Sequence, residues 1–256
     1  MTSSTPQHLT ILTGGSRGMG LAMAQQLLQP GLTLITIARR TAPELAAQAQ
    51  QLGATLEQWQ HDLADGTAAA LHLSDWLHAQ NPAQWASVTL INNAGVIPRI
   101  APLSGSDVSD LANALRVGLE APMQLTAAFL GATDAWSMPR KVLNISSGLG
   151  RRAMASQAAY CAAKAGMDHF TRCLALDEAL KPLGAKVCSL APGVIDTDMQ
   201  IQLRGADPAD FPDAQNFANL KTGGQLTSPA DAAARVLAWL QRPDFGANPV
   251  ADVREA

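Results

Sequence analysis

The run Leu9-Thr10-Ile11-Leu12-Thr13-Gly14-Gly15-Ser16-Arg17-Gly18-Met19-Gly20-Leu21-Ala22-Met23-Ala24-Gln25-Gln26-Leu27-Leu28 decides the fold. An apolar stretch ends at Thr13, glycines crowd the next positions, and apolar residues then recur at helical spacing. Strand, glycine turn and helix carry backbone N–H groups and a helix N-terminus onto a pyrophosphate. The spacing is G-x-x-x-G-x-G, not the G-x-G-x-x-G of most dinucleotide folds. A lone glycine turn is often only a tight connection. Its place at the first strand-to-helix junction makes Gly14, Ser16, Arg17, Gly18, Met19 and Gly20 candidate cofactor contacts.

Outward from this run, short apolar stretches alternate with longer helical patterns. Strands are expected at 9–13, 32–38, 54–60, 87–91, 140–146, 185–190 and 248–252. Helices are expected at 18–29, 42–52, 65–79, 107–132, 156–180 and 229–241. Such alternation implies parallel pairing through right-handed crossovers. The expected fold is a single-domain, Rossmann-type α/β structure over residues 1–256. Its doubly wound parallel sheet has about seven strands, with helices on both faces. With 256 residues, 47% hydrophobic and 15% charged, the chain can bury one substantial core. The long stretch 192–226, rich in Gly, Pro and Asp, reads as irregular; such a stretch in a compact domain is usually functional.

A net charge of −3 offers no broad basic field, which argues against nucleic acid as a partner. The start, from Met1 to His8, is polar and carries no signal-peptide pattern; no apolar run is long enough to span a membrane. Cys161, Cys173 and Cys188 lack metal spacing and read as reduced packing residues of a cytoplasmic protein. The five histidines form no metal motif and read as surface or packing residues, and no metal is expected.

The chemistry is carried by Ala159-Tyr160-Cys161-Ala162-Ala163-Lys164-Ala165-Gly166. Residues four apart share a helix face. An ammonium beside a phenol favours the phenolate, making Tyr160 a usable proton carrier. Ser147 stands 13 positions before Tyr160, at the end of the apolar run Val142-Leu143-Asn144-Ile145-Ser146-Ser147. Strand ends are where an open α/β sheet places its ligands. Ser147, Tyr160 and Lys164 are the candidate catalytic residues.

Taken together, these motifs resemble the short-chain dehydrogenase/reductase family over nearly the whole chain. Thr13–Gly20, Asp62, Asn92-Asn93-Ala94-Gly95, Ser147, Tyr160, Lys164 and Pro192-Gly193 fall in that family's order. Within it, the chain is similar to the sepiapterin reductase and benzil reductase branch. That likeness rests on Tyr160-Cys161-Ala162-Ala163-Lys164, Leu174-Ala175-Leu176-Asp177-Glu178, the run Ala191–Gln200, Arg204, Leu220–Leu226 and Asp252. The resemblance implies that Asp62 and Leu63 contact adenine and that Asn93, Ala94 and Gly95 lie beside the adenosine. It also implies that Pro192, Gly193, Val194 and Thr197 flank the nicotinamide, with Thr197 on its carboxamide. The family's usual asparagine is replaced by Gly118, which keeps the backbone carbonyl thought to hold a water of the proton relay but loses the side chain.

Cofactor choice has a physical argument. NAD-preferring folds place a carboxylate about 20 positions after the glycine turn, for the ribose 2′-OH. Here the region reads Ile37-Ala38-Arg39-Arg40, without one. A 2′-phosphate suits the arginine fork, so Arg39 and Arg40, with Arg17 from the glycine loop, favour NADP(H).

The implied reaction is reduction of a ketone or dicarbonyl by hydride transfer. Tyr160 donates the proton, Ser147 orients the carbonyl oxygen, and Lys164 tunes the phenol and binds the nicotinamide ribose. Alternatives left open are a 3-oxoacyl-carrier-protein-type reductase, another short-chain alcohol dehydrogenase, a weakly active NADP-binding regulatory protein and a sugar-nucleotide epimerase. The stretch 194–226 is expected to form a substrate lid. Met199, Leu203 and Phe217 are available to an apolar ketone, and Asp252 to a polar one. Apolar and small residues on more than one face of 107–132 and 156–180 call for a second covering surface, and the resemblance, to a family whose corresponding helices pair across a two-fold axis, implies a homodimer or homotetramer.

Overall fold

The computed structural model describes residues 7–255. Most of the polar start, Met1–Pro6, lies outside the described residues, as does Ala256. Seven strands form one sheet: β1 (Gln7–Thr13), β2 (Leu32–Ala38), β3 (Thr55–Gln60), β4 (Trp85–Asn92), β5 (Arg140–Ile145), β6 (Lys186–Ala191) and β7 (Val250–Asp252). Their order is β3-β2-β1-β4-β5-β6-β7, and every neighbouring pair is parallel. The chain crosses over between β1 and β4, the switch point where doubly wound sheets open a crevice.

Helices cover both faces. On one side lie α1 (Gly18–Leu27) and α2 (Pro43–Leu52). On the other lie α3 (Gly66–His78), α4 (Val108–Leu115), α5 (Ala121–Thr133) and α6 (Ala158–Ala179). Two short helices, α7 (Asp198–Arg204) and α8 (Ala214–Thr222), precede α9 (Pro229–Leu240), which packs beside α1. The central strands are apolar on both faces because both are buried. Leu12 packs with Met23 and Val236 on the α1/α9 side. Leu9 and Ile11, one pleat away, pack with Leu73, Leu125 and Phe129 on the α3/α5 side.

Two stretches depart from the sequence reading. The helix expected over 107–132 divides into α4, a wide π-helical turn at Arg116–Glu120, and α5. Pro122 is the physical reason: it has no N–H to give the Gly118 carbonyl. The turn widens, and the Ala121 N–H reaches back five residues to the Arg116 carbonyl. The stretch 192–226, expected to be irregular, instead holds α7 and α8. There Leu203, Phe211 and Ala214 are buried with Ile100 in a small third core. Among the described residues, no helix is long and apolar enough to cross a membrane.

Candidate active site

The C-terminal ends of β1, β2, β4, β5 and β6 open onto one cavity of about 1180 Å³. Its dinucleotide end is built by the glycine loop. Gly14 and Gly18 take left-handed backbone, φ 72° and 55°. A Cβ on Gly20 would come within 2.1 Å of the Gly14 carbonyl oxygen, so no side chain fits there. Helices α3, α4 and α9 begin with side-chain caps from Asp65, Asp107 and Ser228. Helix α1 has none. Its first-turn N–H groups, on Gly18, Met19 and Gly20, face the cavity without a capping acceptor. An uncapped helix start behind a loop with no room for side chains fits a pyrophosphate.

The remaining cofactor candidates line the same cavity. Arg39 and Arg40 lie exposed at the end of β2. Asp62 caps the turn after β3, accepting from the Ala64 N–H at 3.0 Å, and Leu63 is buried beside it. Thr13 Oγ1 accepts from the Asn93 and Ala94 N–H groups at 2.9 and 3.0 Å, fixing β4 to β1; Asn93 Nδ2 donates to the Thr13 carbonyl at 3.0 Å. Gly95, Pro192, Gly193, Val194 and Thr197 complete this wall. Arg17 is turned differently from its sequence assignment: its guanidinium pairs with Asp198 at 2.9 Å, across the mouth of the loop.

Ser147, Tyr160 and Lys164 meet on the opposite wall. The end of β5 sets Ser147, and the first turns of α6 set the other two. Lys164 Nζ donates to the Ile145 carbonyl at 2.7 Å and lies 5.8 Å from the Tyr160 ring centre. The electrostatics differ from the sequence expectation. Burial pushes the Tyr160 phenol above its ordinary value, and a hydrogen bond from Ser147 only partly opposes this. Burial also lowers Lys164 to about 8, with Asp168 acting in the opposite sense. With the ammonium turned toward a backbone carbonyl, desolvation of the phenol dominates. Tyr160 therefore stays a phenol at neutral pH, the form that can give a proton.

The far end is lined by Met199, Leu203 and Phe217, part of the third core, and by Asp252. Asp252 is buried and already engaged. Arg254 donates to both its oxygens, at 2.8 and 2.6 Å, and Arg151 lies 3.3 Å away. Hydrogen bonds from Arg254, ahead of the charge of Arg151, hold its carboxyl below the usual range.

Several cavity residues escaped the sequence reading. Gln157 and Gln200 are buried at the wall with amide atoms lacking partners. Ser156, the residue before Gln157, is left-handed at φ 58° and donates its hydroxyl to the Asp210 carbonyl. The loop before α6 is thereby tied to the 194–226 stretch. His61, read as a surface or packing residue, lines the dinucleotide end and hydrogen-bonds His72 at 3.0 Å. Burial, then the His72 charge, lowers its pKa.

Residues 8–207 match the family model for short chain dehydrogenases. The chain is 34% identical over 245 residues to the (S)-benzoin-forming benzil reductase of Bacillus cereus, covering 96% of this chain and 98% of that one. It is 34% identical over 250 residues to the sepiapterin reductase of Meriones unguiculatus, covering 92% of each. Among solved structures, a metagenomic short-chain oxidoreductase in complex with NADP superposes with a TM-score of 0.69 at 25% identity, over 97% of this chain and 96% of that one.

Proposed function

The chain belongs to the short-chain dehydrogenase family, and from that premise we propose that it is an NADPH-dependent carbonyl reductase. Its substrate is a ketone or dicarbonyl of the benzil or sepiapterin kind, and its product the alcohol. One observation carries the reading: Ser147, Tyr160 and Lys164 share a cavity whose other end holds the uncapped α1, Arg39 and Arg40. The two curated relatives named above are reductases of such substrates.

NADPH supplies the hydride. Tyr160 gives its phenolic proton to the carbonyl oxygen, which its raised pKa suits at neutral pH. Ser147 donates a hydrogen bond to the same oxygen and fixes its direction. Lys164, charged below about pH 8, stabilises the phenolate left behind and would hold the nicotinamide ribose. Gly18, Met19 and Gly20 would offer N–H groups to the pyrophosphate, Asp62 and Leu63 would hold the adenine, and Arg39 with Arg40 would bind the 2′-phosphate. Asn93, Ala94 and Gly95 would hold the adenosine. Pro192, Gly193, Val194 and Thr197 would hold the nicotinamide side.

The stretch 194–226 acts as the substrate lid, with Met199, Leu203 and Phe217 toward an apolar substrate. Assembly into a homodimer or homotetramer would cover Leu115, Met123 and Leu176, exposed on α4, α5 and α6, and Leu180 just past the end of α6. Ala158, Ala162 and Ala165 make a further exposed small-residue strip on α6. Sedimentation showing only a 26.8 kDa species would exclude assembly. Three free cysteines fit a cytoplasmic location.

The deciding experiment follows NADPH and NADH consumption with benzil, sepiapterin, short diketones and a 3-oxoacyl thioester. Turnover of the diketones with NADPH is expected. Turnover of the thioester alone would move the reading to a carrier-protein reductase. NADPH binding without turnover of any carbonyl would leave a binding protein.

A further inference from the structure

Helix α6 carries Tyr160, Lys164 and Asp168 at successive four-residue steps, on one stripe. The reductase reading uses the first two. Asp168 does not line the cavity; it is 1% exposed, buried between α6 and the ends of β5 and β6. A buried carboxylate is costly unless well paired. Here one oxygen, Oδ1, accepts from the Ser146 hydroxyl at 2.5 Å and the Ser189 hydroxyl at 2.7 Å. The other, Oδ2, has no hydrogen-bond partner. Gly150 closes over it, since a Cβ there would come within 2.7 Å of Oδ2 and 2.9 Å of the Lys164 carbonyl oxygen. Two hydroxyls on one oxygen are thin compensation for a buried charge. Packing alone would be served as well by an uncharged side chain of the same shape.

We propose, building on the reductase reading above, that Asp168 is a positioning residue: its charge balances the Lys164 ammonium, and its carboxylate clamps the strand end that carries Ser147 against α6. The clamp is double. Lys164 holds the Ile145 carbonyl, and Asp168 holds the hydroxyl of the next residue, Ser146. Ser147 follows directly. Two helix residues one turn apart thus grip the last residue of β5 and the one after it, which fixes the distance from Ser147 to Tyr160.

The surrounding charges leave this role to Asp168. Lys164 faces Tyr160 and Asp168 on its own helix, while the loop after β4 offers it Gly95 and β5 the Ile145 carbonyl. From β6, the titratable group near Asp168 is the Cys188 thiol, which burial pushes up to about 12 and so keeps neutral. Asp168 is the group that opposes the loss of the Lys164 proton.

The chain has one tyrosine, so an isotope label on the tyrosine ring gives a single NMR signal, that of Tyr160. That signal, 5.8 Å from Lys164 Nζ, reports the Lys164 titration near pH 8 without any substrate. In Asp168→Asn the midpoint should fall by about one unit or more, the usual effect of losing a close opposite charge. The alkaline limb of kcat should fall with it, and kcat at neutral pH by about tenfold, with a smaller change in KM for NADPH. An unmoved ring titration in folded Asp168→Asn would overturn the charge role, whatever the substrate proves to be. Ser146→Ala tests the clamp separately and serves if Asp168→Asn does not fold. It keeps the charge, so the Lys164 midpoint should hold while kcat drops at least about threefold. Wild-type kcat in Ser146→Ala would overturn the clamp.

Discussion

The two ends of the cavity are built on different terms. The wall that carries Ser147, Tyr160 and Lys164 hangs from strand ends and a 22-residue helix, tied by buried hydrogen bonds such as Lys164 to Ile145. The 194–226 stretch rests on a small core of its own and reaches the rest through more exposed ties: the Arg17–Asp198 pair, and Gln202 donating to the Pro98 carbonyl. Exposed pairs hold weakly, ~0.2–1 kcal/mol each. Buried ties hold geometry, while weak ties allow movement. On the proposed roles, the chemistry would sit on the rigid wall and the access on the soft one.

The strongest way to break that division is Tyr160→Phe. If the rigid wall owns proton transfer, turnover should fall about 100- to 10,000-fold while NADPH fluorescence binding stays close to wild type. Retained turnover would remove the proton donor from that wall. Next in size is the pH profile of kcat for reduction. Lys164 is charged below about 8 and neutral above it. Activity should hold below that value and decline above it, approaching about tenfold per pH unit. A flat alkaline limb would show that the lysine charge is not used. Arg39→Asp then tests the dinucleotide end: KM for NADPH should rise about tenfold, ~1.4 kcal/mol, and NADH should gain. Equal use of both cofactors by the wild type would void the assignment of Arg17, Arg39 and Arg40.

The smallest effect sharpens the soft side. Asp198→Ala frees Arg17, which should lower KM for NADPH by less than about fivefold and speed hydrogen exchange in 194–226. A rise in KM would mean that the pair helps binding instead of competing with it.

The rigid side was legible in the sequence because its signals are local. Alternating apolar runs, the glycine turn at residues 13–20 and the Tyr160–Lys164 step are each contained within a few turns of chain. The π turn was half legible. Pro122 is visible, but a proline opens helices as readily as it interrupts them. The soft side was not legible because its contacts join distant residues. Arg17 meets Asp198 across 181 positions, and Arg151 meets Asp252 across 101. Short helices such as α7 and α8 owe their form to Phe211 and Leu203 finding a core elsewhere, not to their own periodicity. The pair His61–His72 was missed for the same reason: residues on β3's exit and on α3 meet only once the layers pack.

The central place of β1 in the strand order also governs how the chain is born. As it leaves the ribosome, β1 finds β2 quickly, but its other edge belongs to β4, which begins at Trp85. Translation runs at about 5–20 residues per second, so for several seconds a buried strand waits with one row of backbone groups unpaired. Asn93 and Ala94, which lock onto Thr13, arrive only with β4. Until then the glycine loop has no far wall, and that edge stays open. Slow synthesis or truncation before β4 should therefore yield aggregates seeded at β1.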